Sequence, residues 1–322
     1  MQNIVRTDHV TCYDHYKEID KIKFEDLERY AGKIFNQLKI KMLVQGNLTK
    51  DQAMSIGQVV MQNLSPGQVS DLSKIESRCR KIEVGNKSIK IKSFLANDKN
   101  SNTLCYYEIG KKTMRLNCLL DLLEKVITDP LYDNLRTKEQ LGYAVGNAKV
   151  NTYGILGMIF VLLSQEDKHS AEVVNARIEK FVTEDLKKIL AEMSNEQFKT
   201  IKESTIKMNY VDDVSLITEV NRNWNEIMTG EYMFNFRSMK AKTLATITKD
   251  ELLAFYNSGI FTKKLSIQII GNATQDEVQT NDTEDLKIKL ITENTDDSTT
   301  IVTDIDEFRN GLFVYPVMKA QI

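Results

Sequence analysis

Lys264-Leu265-Ser266-Ile267-Gln268-Ile269-Ile270-Gly271-Asn272-Ala273-Thr274-Gln275-Asp276 repeats, in its grammar, an earlier stretch of the chain. That stretch is Lys39-Ile40-Lys41-Met42-Leu43-Val44-Gln45-Gly46-Asn47-Leu48-Thr49-Lys50-Asp51. Aligned residues stand 225 apart, as in Gly46 and Gly271, Thr49 and Thr274, Asp51 and Asp276. Each copy reads as a basic residue, an apolar strand, a Gly-Asn turn and a Thr able to cap the next helix. Upstream, Asp26-Leu27-Glu28-Arg29-Tyr30 matches Glu251-Leu252-Leu253-Ala254-Phe255 as the preceding helix. A period of this size is that of a domain and not of a solenoid repeat. Few residues precede Lys39 compared with those ahead of Lys264. The expectation is therefore a partial unit over 1–84, the closing portion of a domain, followed by a nearly complete unit over 85–322. Such a chain is a fragment or a truncated product.

Between these marks the periodicity alternates in kind. Strands are expected at Ile40–Gln45, Ser88–Leu95, Cys105–Gly110, Tyr143–Val150, Ile155–Leu163 and Leu265–Ile270. Leu116, Leu119, Leu120, Leu123, Val126 and Ile127 keep helical spacing until Pro130 cuts the pattern. Val174, Ile178, Phe181, Val182, Leu186 and Ile189 predict an amphipathic helix over about 169–193. Ser194 is placed to cap another. Strands followed by runs of helices indicate an α+β fold: a mostly antiparallel sheet covered by helices on one face. Residues 275–306 are acidic and polar enough to read as a mobile linker. Phe308–Pro316 is apolar enough to dock on the body.

Composition excludes several classes. The 322 residues carry 43 Lys plus Arg against 45 Asp plus Glu, so no basic surface marks a nucleic-acid binder. The longest run of apolar residues and glycine, Tyr153–Leu163, has eleven residues, against roughly 20 for a membrane-spanning helix. Cys12, Cys79, Cys105 and Cys118 form no CxxC pair; free thiols and no secretory leader suit the cytoplasm. His9, His15 and His169 lack the spacing of a metal-binding helix. Neither a Gly-x-Ser-x-Gly elbow nor a Gly-rich phosphate loop occurs. The expectation is no catalysis by this chain alone.

One segment carries candidate chemistry: Leu135-Arg136-Thr137-Lys138-Glu139-Gln140-Leu141-Gly142-Tyr143. It reads as a helix end, stopped by Gly142, with a strand opening at Tyr143. Arg136 offers a forked cation and Tyr143 a phenol, a pair suited to a peptide carbonyl or developing oxyanion. Equally, spacing allows Arg136 to pair with a carboxylate while Tyr143 packs.

This string, with Asp129-Pro130 before it and Asn223-Trp224-Asn225-Glu226-Ile227, Leu244–Asp250 and Phe308–Leu312 after it, resembles the pitrilysin family of zinc metallopeptidases. Leu43–Lys50 resembles the third domain of the same enzymes. The resemblance implies a clamshell of four homologous domains, of which this chain is the end of the third and the fourth. Zinc, in a His-x-x-Glu-His motif, is then carried by an N-terminal half, and Arg136 and Tyr143 bind peptide substrate across the chamber. The partners implied are that half or a homologous chain, with homo-oligomers open, and neither nucleic acid nor membrane. A Lys-rich, polyanion-binding turn of the family is matched here by Tyr210–Ser215, with Asp212 and Asp213 in place of lysines. A stand-alone peptide-binding, pseudoenzyme or structural module is the alternative.

Overall fold

The computed structural model describes residues 1–64, 67, 69, 71, 76–95, 97–272, 288–293 and 298–317. Most of the 275–306 stretch lies outside them. In chain order the helices are α1 (Gln2–Val5), α2 (Cys12–Ile19), α3 (Phe24–Ala31), α4 (Lys50–Leu64), α5 (Met114–Leu131), α6 (Ala171–Lys180) and α7 (Leu186–Glu192). They continue with α8 (Asn195–Met208), α9 (Leu216–Thr229), α10 (Phe236–Thr246), α11 (Lys249–Asn257) and α12 (Ile305–Gly311). The strands are β1 (Gly85–Lys92), β2 (Asn100–Lys111), β3 (Ala144–Thr152), β4 (Ile155–Gln165), β5 (Lys263–Ile270) and β6 (Thr299–Ile301).

Two compact units divide the chain. One comprises Met1–Val5, Cys79–Val211 and Asn235–Tyr315. Its sheet runs β3-β4-β2-β5-β1-β6, antiparallel from β3 through β5, with β1 parallel to both β5 and β6. Alternation along the strands sends Cys105, Tyr107, Leu156, Met158, Phe160 and Leu162 into one core with Leu120 and Leu123 of α5, Ile178 of α6 and Leu252 of α11. Helix α6 also meets the sheet through polar groups. Buried Lys90 and Lys264 pair with Glu172 and Glu179, and Ser266 Oγ donates to Asn175 Oδ1 at 2.8 Å. Those lysines lie beneath α6 with their ammonium groups led out to carboxylates near solvent.

Tyr106 and Glu108 of β2 face the opposite way. Glu108, fully buried, accepts from Ile82 N–H at 2.8 Å, Lys263 Nζ at 2.9 Å and Tyr315 Oη at 2.7 Å. The terminal stretch docks here as its apolar character predicts: Arg80 bridges Val314, and Tyr315 N–H donates to Cys79 O at 2.9 Å.

The second unit contains Arg6–Arg78 and Asp212–Phe234 among its residues. Its helices α2, α3 and α4 bury no residue, and Phe24, Leu27, Tyr30 and Met54 are exposed. Lys41 Nζ donates to Ile227 O at 2.9 Å, and Asn223 Nδ2 donates to Gln45 Oε1 at 2.8 Å. The strand expected at Ile40–Gln45 does not form. Its repeat partner β5 is hydrogen-bonded on both sides, by β1 and β2, whereas 40–45 has no strand beside it among the described residues. An isolated strand leaves its backbone groups unpaired and does not persist.

The helix expected over 169–193 spans Ala171–Glu192, capped by Ser170 and interrupted by a π-helical turn at Phe181–Asp185. Ser194 caps α8 in a reciprocal box with Gln197. Pro130, by contrast, does not end the helix that precedes it.

Candidate functional site

Helix α5 starts under a Thr113 cap and runs through Pro130 to Leu131. Proline cannot supply an N–H to the turn before it and crowds that turn's carbonyl. The chain nevertheless coils on past it, into a π-helical turn over Tyr132–Lys138 that closes with Glu139 N–H donating to Asn134 O at 2.9 Å. Arg136 sits on this turn and Tyr143 immediately before β3. Leu135 and Leu141 anchor the intervening loop in the core, at 0% and 7% exposure. Leu141 N–H also donates to Leu135 O at 3.0 Å, so the loop is tied across its base.

The polar residues point outward from these anchors. Arg136 is exposed, its guanidinium 5.8 Å from the centre of the Tyr132 ring. Among the described residues no carboxylate pairs with it. Tyr143 is 57% exposed, and its N–H donates to Leu163 O at 3.1 Å. The expectation that Gly142 stops the helix is corrected. Glu139 caps the helical turn, and the reversal is made by Gln140, whose φ is 53°. Gly142 is there because a Cβ would collide with the Leu163 carbonyl and with Leu162.

Glu139 itself is held by a long-range link that leaves no local sign in the sequence. Arg177 on α6 donates from Nε to Glu139 Oε2 at 2.6 Å and from Nη2 to Glu139 Oε1 at 2.5 Å. The same Nη2 donates to Asp185 Oδ2 at 2.7 Å. β3 is fastened to α5 by Lys149, whose Nζ reaches Asp121 and, at 2.8 Å, Asn117 Oδ1. Asp121 also pairs with Lys240 of α10 at 2.6 Å.

Among the described residues no group of three or more His, Cys, Asp or Glu side chains could hold a metal ion. The described residues thus offer no zinc-binding set, and no step is assigned to a metal here. Among the same residues no helix is long and apolar enough to cross a membrane.

A six-stranded mixed sheet with α5, α6 and α11 packed on one face matches the fold of pitrilysin-type peptidase domains. Over 97% of this chain and 31% of the other, it superposes on the crystal structure of pitrilysin with a TM-score of 0.74 at 17% identity. Residues 122–224, which contain the Arg136–Tyr143 loop, match the family described as PQQ synthase PqqF-like, C-terminal lobe domain 4. Among curated proteins the chain is 31% identical to human nardilysin over 261 residues, 80% of this chain and 23% of that protein. It is 23% identical to mouse insulin-degrading enzyme over 345 residues, 99% of this chain and 32% of that protein. The chain thus spans about a quarter to a third of the relatives it matches. It is homologous to nardilysin and insulin-degrading enzyme and corresponds to the C-terminal part of such pitrilysin-family (M16) peptidases.

Proposed function

We propose that this chain is the non-catalytic C-terminal half of an insulin-degrading-type zinc metalloendopeptidase. In this reading it forms chamber wall and orients an extended peptide over a zinc site carried by an N-terminal half. The observation that carries the reading is the pair of exposed side chains, Arg136 and Tyr143, on a loop whose backbone is pinned at Leu135, Leu141 and Gly142. The guanidinium presents two parallel N–H groups to a carbonyl oxygen, and the phenol presents one O–H. Donors fixed in advance contribute most where negative charge develops, so their effect falls on the transition state more than on the bound substrate. Zinc, when present on the partner half, supplies the activated water. The four cysteines are free thiols, and the location proposed is the cytoplasm.

The test is turnover of a quenched-fluorescent unstructured peptide by this chain alone and then with a zinc-bearing N-terminal half titrated in. Silence alone and saturable activity on mixing are expected. Activity without the partner, or peptide binding with no turnover in either arm, would overturn the reading, the latter in favour of a peptide-binding module.

A further inference from the structure

We propose that Arg177 is a positioning residue, a latch on α6 that holds the Arg136–Tyr143 loop in the shape that presents both side chains to substrate. The inference rests on the substrate-contact reading of that pair. Three observations carry it. First, the grip is a fork on a carboxylate: two guanidinium nitrogens donate to the two oxygens of Glu139, at 2.5 and 2.6 Å. Paired, charge-assisted bonds of this kind fix orientation as well as distance, which a single contact does not. Second, the fork is anchored at its own end. Arg177 lies between Val174 and Ile178, both buried in the core, and Asp185 of the next π-helical turn accepts from the same Nη2 at 2.7 Å. The Arg177 side chain is 18% exposed and Nη1 is buried without a partner. The guanidinium is thus committed to these two carboxylates.

Third, the loop it grips needs holding. Glu139 is followed by Gln140 at φ 53°, a conformation that a residue with a Cβ adopts at a cost and that persists only when its surroundings enforce it. Glu139 stands three residues after Arg136 and four before Tyr143. A shift at Glu139 therefore reaches both.

The test has two readouts. In the full chain alone, amide hydrogen exchange of Leu141 and Tyr143 is compared between wild type, Arg177→Ala, Arg177→Lys and Glu139→Gln. Faster exchange by about ten-fold is expected in R177A and E139Q, with R177K intermediate because an ammonium is a point charge and not a fork. E139Q, altered on the exposed loop, tests the link even where R177A melts early. Unchanged exchange in E139Q and R177K overturns the latch. In the mixed assay with the quenched peptide, R177A lowers kcat about ten-fold with little change in KM. In an Arg136→Ala/Tyr143→Phe background R177A adds nothing further, as a residue acting only through that pair must. Full additivity with the R136A/Y143F double variant overturns the proposal. Should Arg136→Ala and Tyr143→Phe themselves leave turnover untouched while exchange still rises, it is the substrate-contact reading that falls, and the positioning role with it.

Discussion

Gly142→Ala sets two effects against each other, and the structure says which wins. The backbone of Gly142 is outside the left-handed region, so alanine is allowed by φ and would shorten the unfolded ensemble, a gain of about 0.4–1 kcal/mol. Against this, the new Cβ would overlap the Leu163 carbonyl oxygen and lie 2.7 Å from Leu162 Cδ2 and 2.8 Å from the Leu163 carbonyl carbon. Leu162 is fully buried in the core, and the Leu163 carbonyl is in the β3–β4 pairing, so neither yields freely. Forcing β3 and β4 apart costs about 1–3 kcal/mol of overpacking. It also stretches the 3.1 Å bond from Tyr143 N–H to Leu163 O, worth about 1 kcal/mol. The net is a loss of about 1.5–3 kcal/mol, or a melting temperature lowered by roughly 4–10 °C. Thermal unfolding followed by circular dichroism measures the loss, and exchange at the Tyr143 amide locates it. A G142A protein that melts with wild type and keeps Tyr143 protected would refute the reasoning, since the close approach to Leu162 and Leu163 would then exact no cost.

Arg136→Ala and Tyr143→Phe, in enzyme assembled with a catalytic half, are expected to lower kcat more than they raise KM; steady-state kinetics on the quenched peptide decides, and unchanged kcat in both removes the assigned role. Glu108→Ala strips partners from Ile82 N–H, Lys263 and Tyr315 at once and should cost about 3–5 kcal/mol, whereas Tyr315→Phe, which leaves two of those contacts, should cost roughly 1 kcal/mol; urea unfolding of the pair would expose equal losses if the carboxylate were not the hub. Burial, reinforced by the charge of Glu108, pushes the Cys79 thiol up to about 12, and burial pushes Cys105 and Cys118 to about 11, from an ordinary 9.0. The native state thus keeps protons that the unfolded chain releases above pH 9, so stability conferred by the neutral thiols is full below that pH and falls as pH rises toward 11–12. Urea midpoints at alkaline pH check this, and one fast-reacting thiol, exposed Cys12, is expected in the native protein.

Elements whose cause is local were legible in the sequence. The expected strand Ile155–Leu163 is β4, Ile155–Gln165, because its apolar alternation fills the helix side of the sheet with Leu156, Met158, Phe160 and Leu162. Ser194 caps α8 because a hydroxyl next to free N–H groups has one favourable use. Pro130 misled because its effect depends on the residues beyond it. Where Leu131 and Leu135 are both drawn into the core, the chain goes on coiling past the proline, into a π-helical turn over Tyr132–Lys138. Gly142 misled for a related reason: it meets the Leu163 backbone on another strand, and no spacing within the motif reports that approach.

The repeat shows the same division in fold and site together. α3 begins at Phe24 and α11 at Lys249, the full 225 positions apart, so the helical half of the repeat is realised twice from local sequence. The strand half is realised only at Lys263–Ile270, where β1 and β2 supply bonds on both edges. Helical bonds close within the segment, whereas strand bonds are lent by other segments. Arg136 and Tyr143 obey this division: their residue types and spacing were visible in one short string, but the geometry that aims them is lent by Arg177 on α6 and Leu163 on β4. A sequence shows the groups that would act at a site. The restraints that hold those groups in place are written on whichever elements the fold brings alongside, and for this loop they are a later strand, β4, and the helix after it, α6.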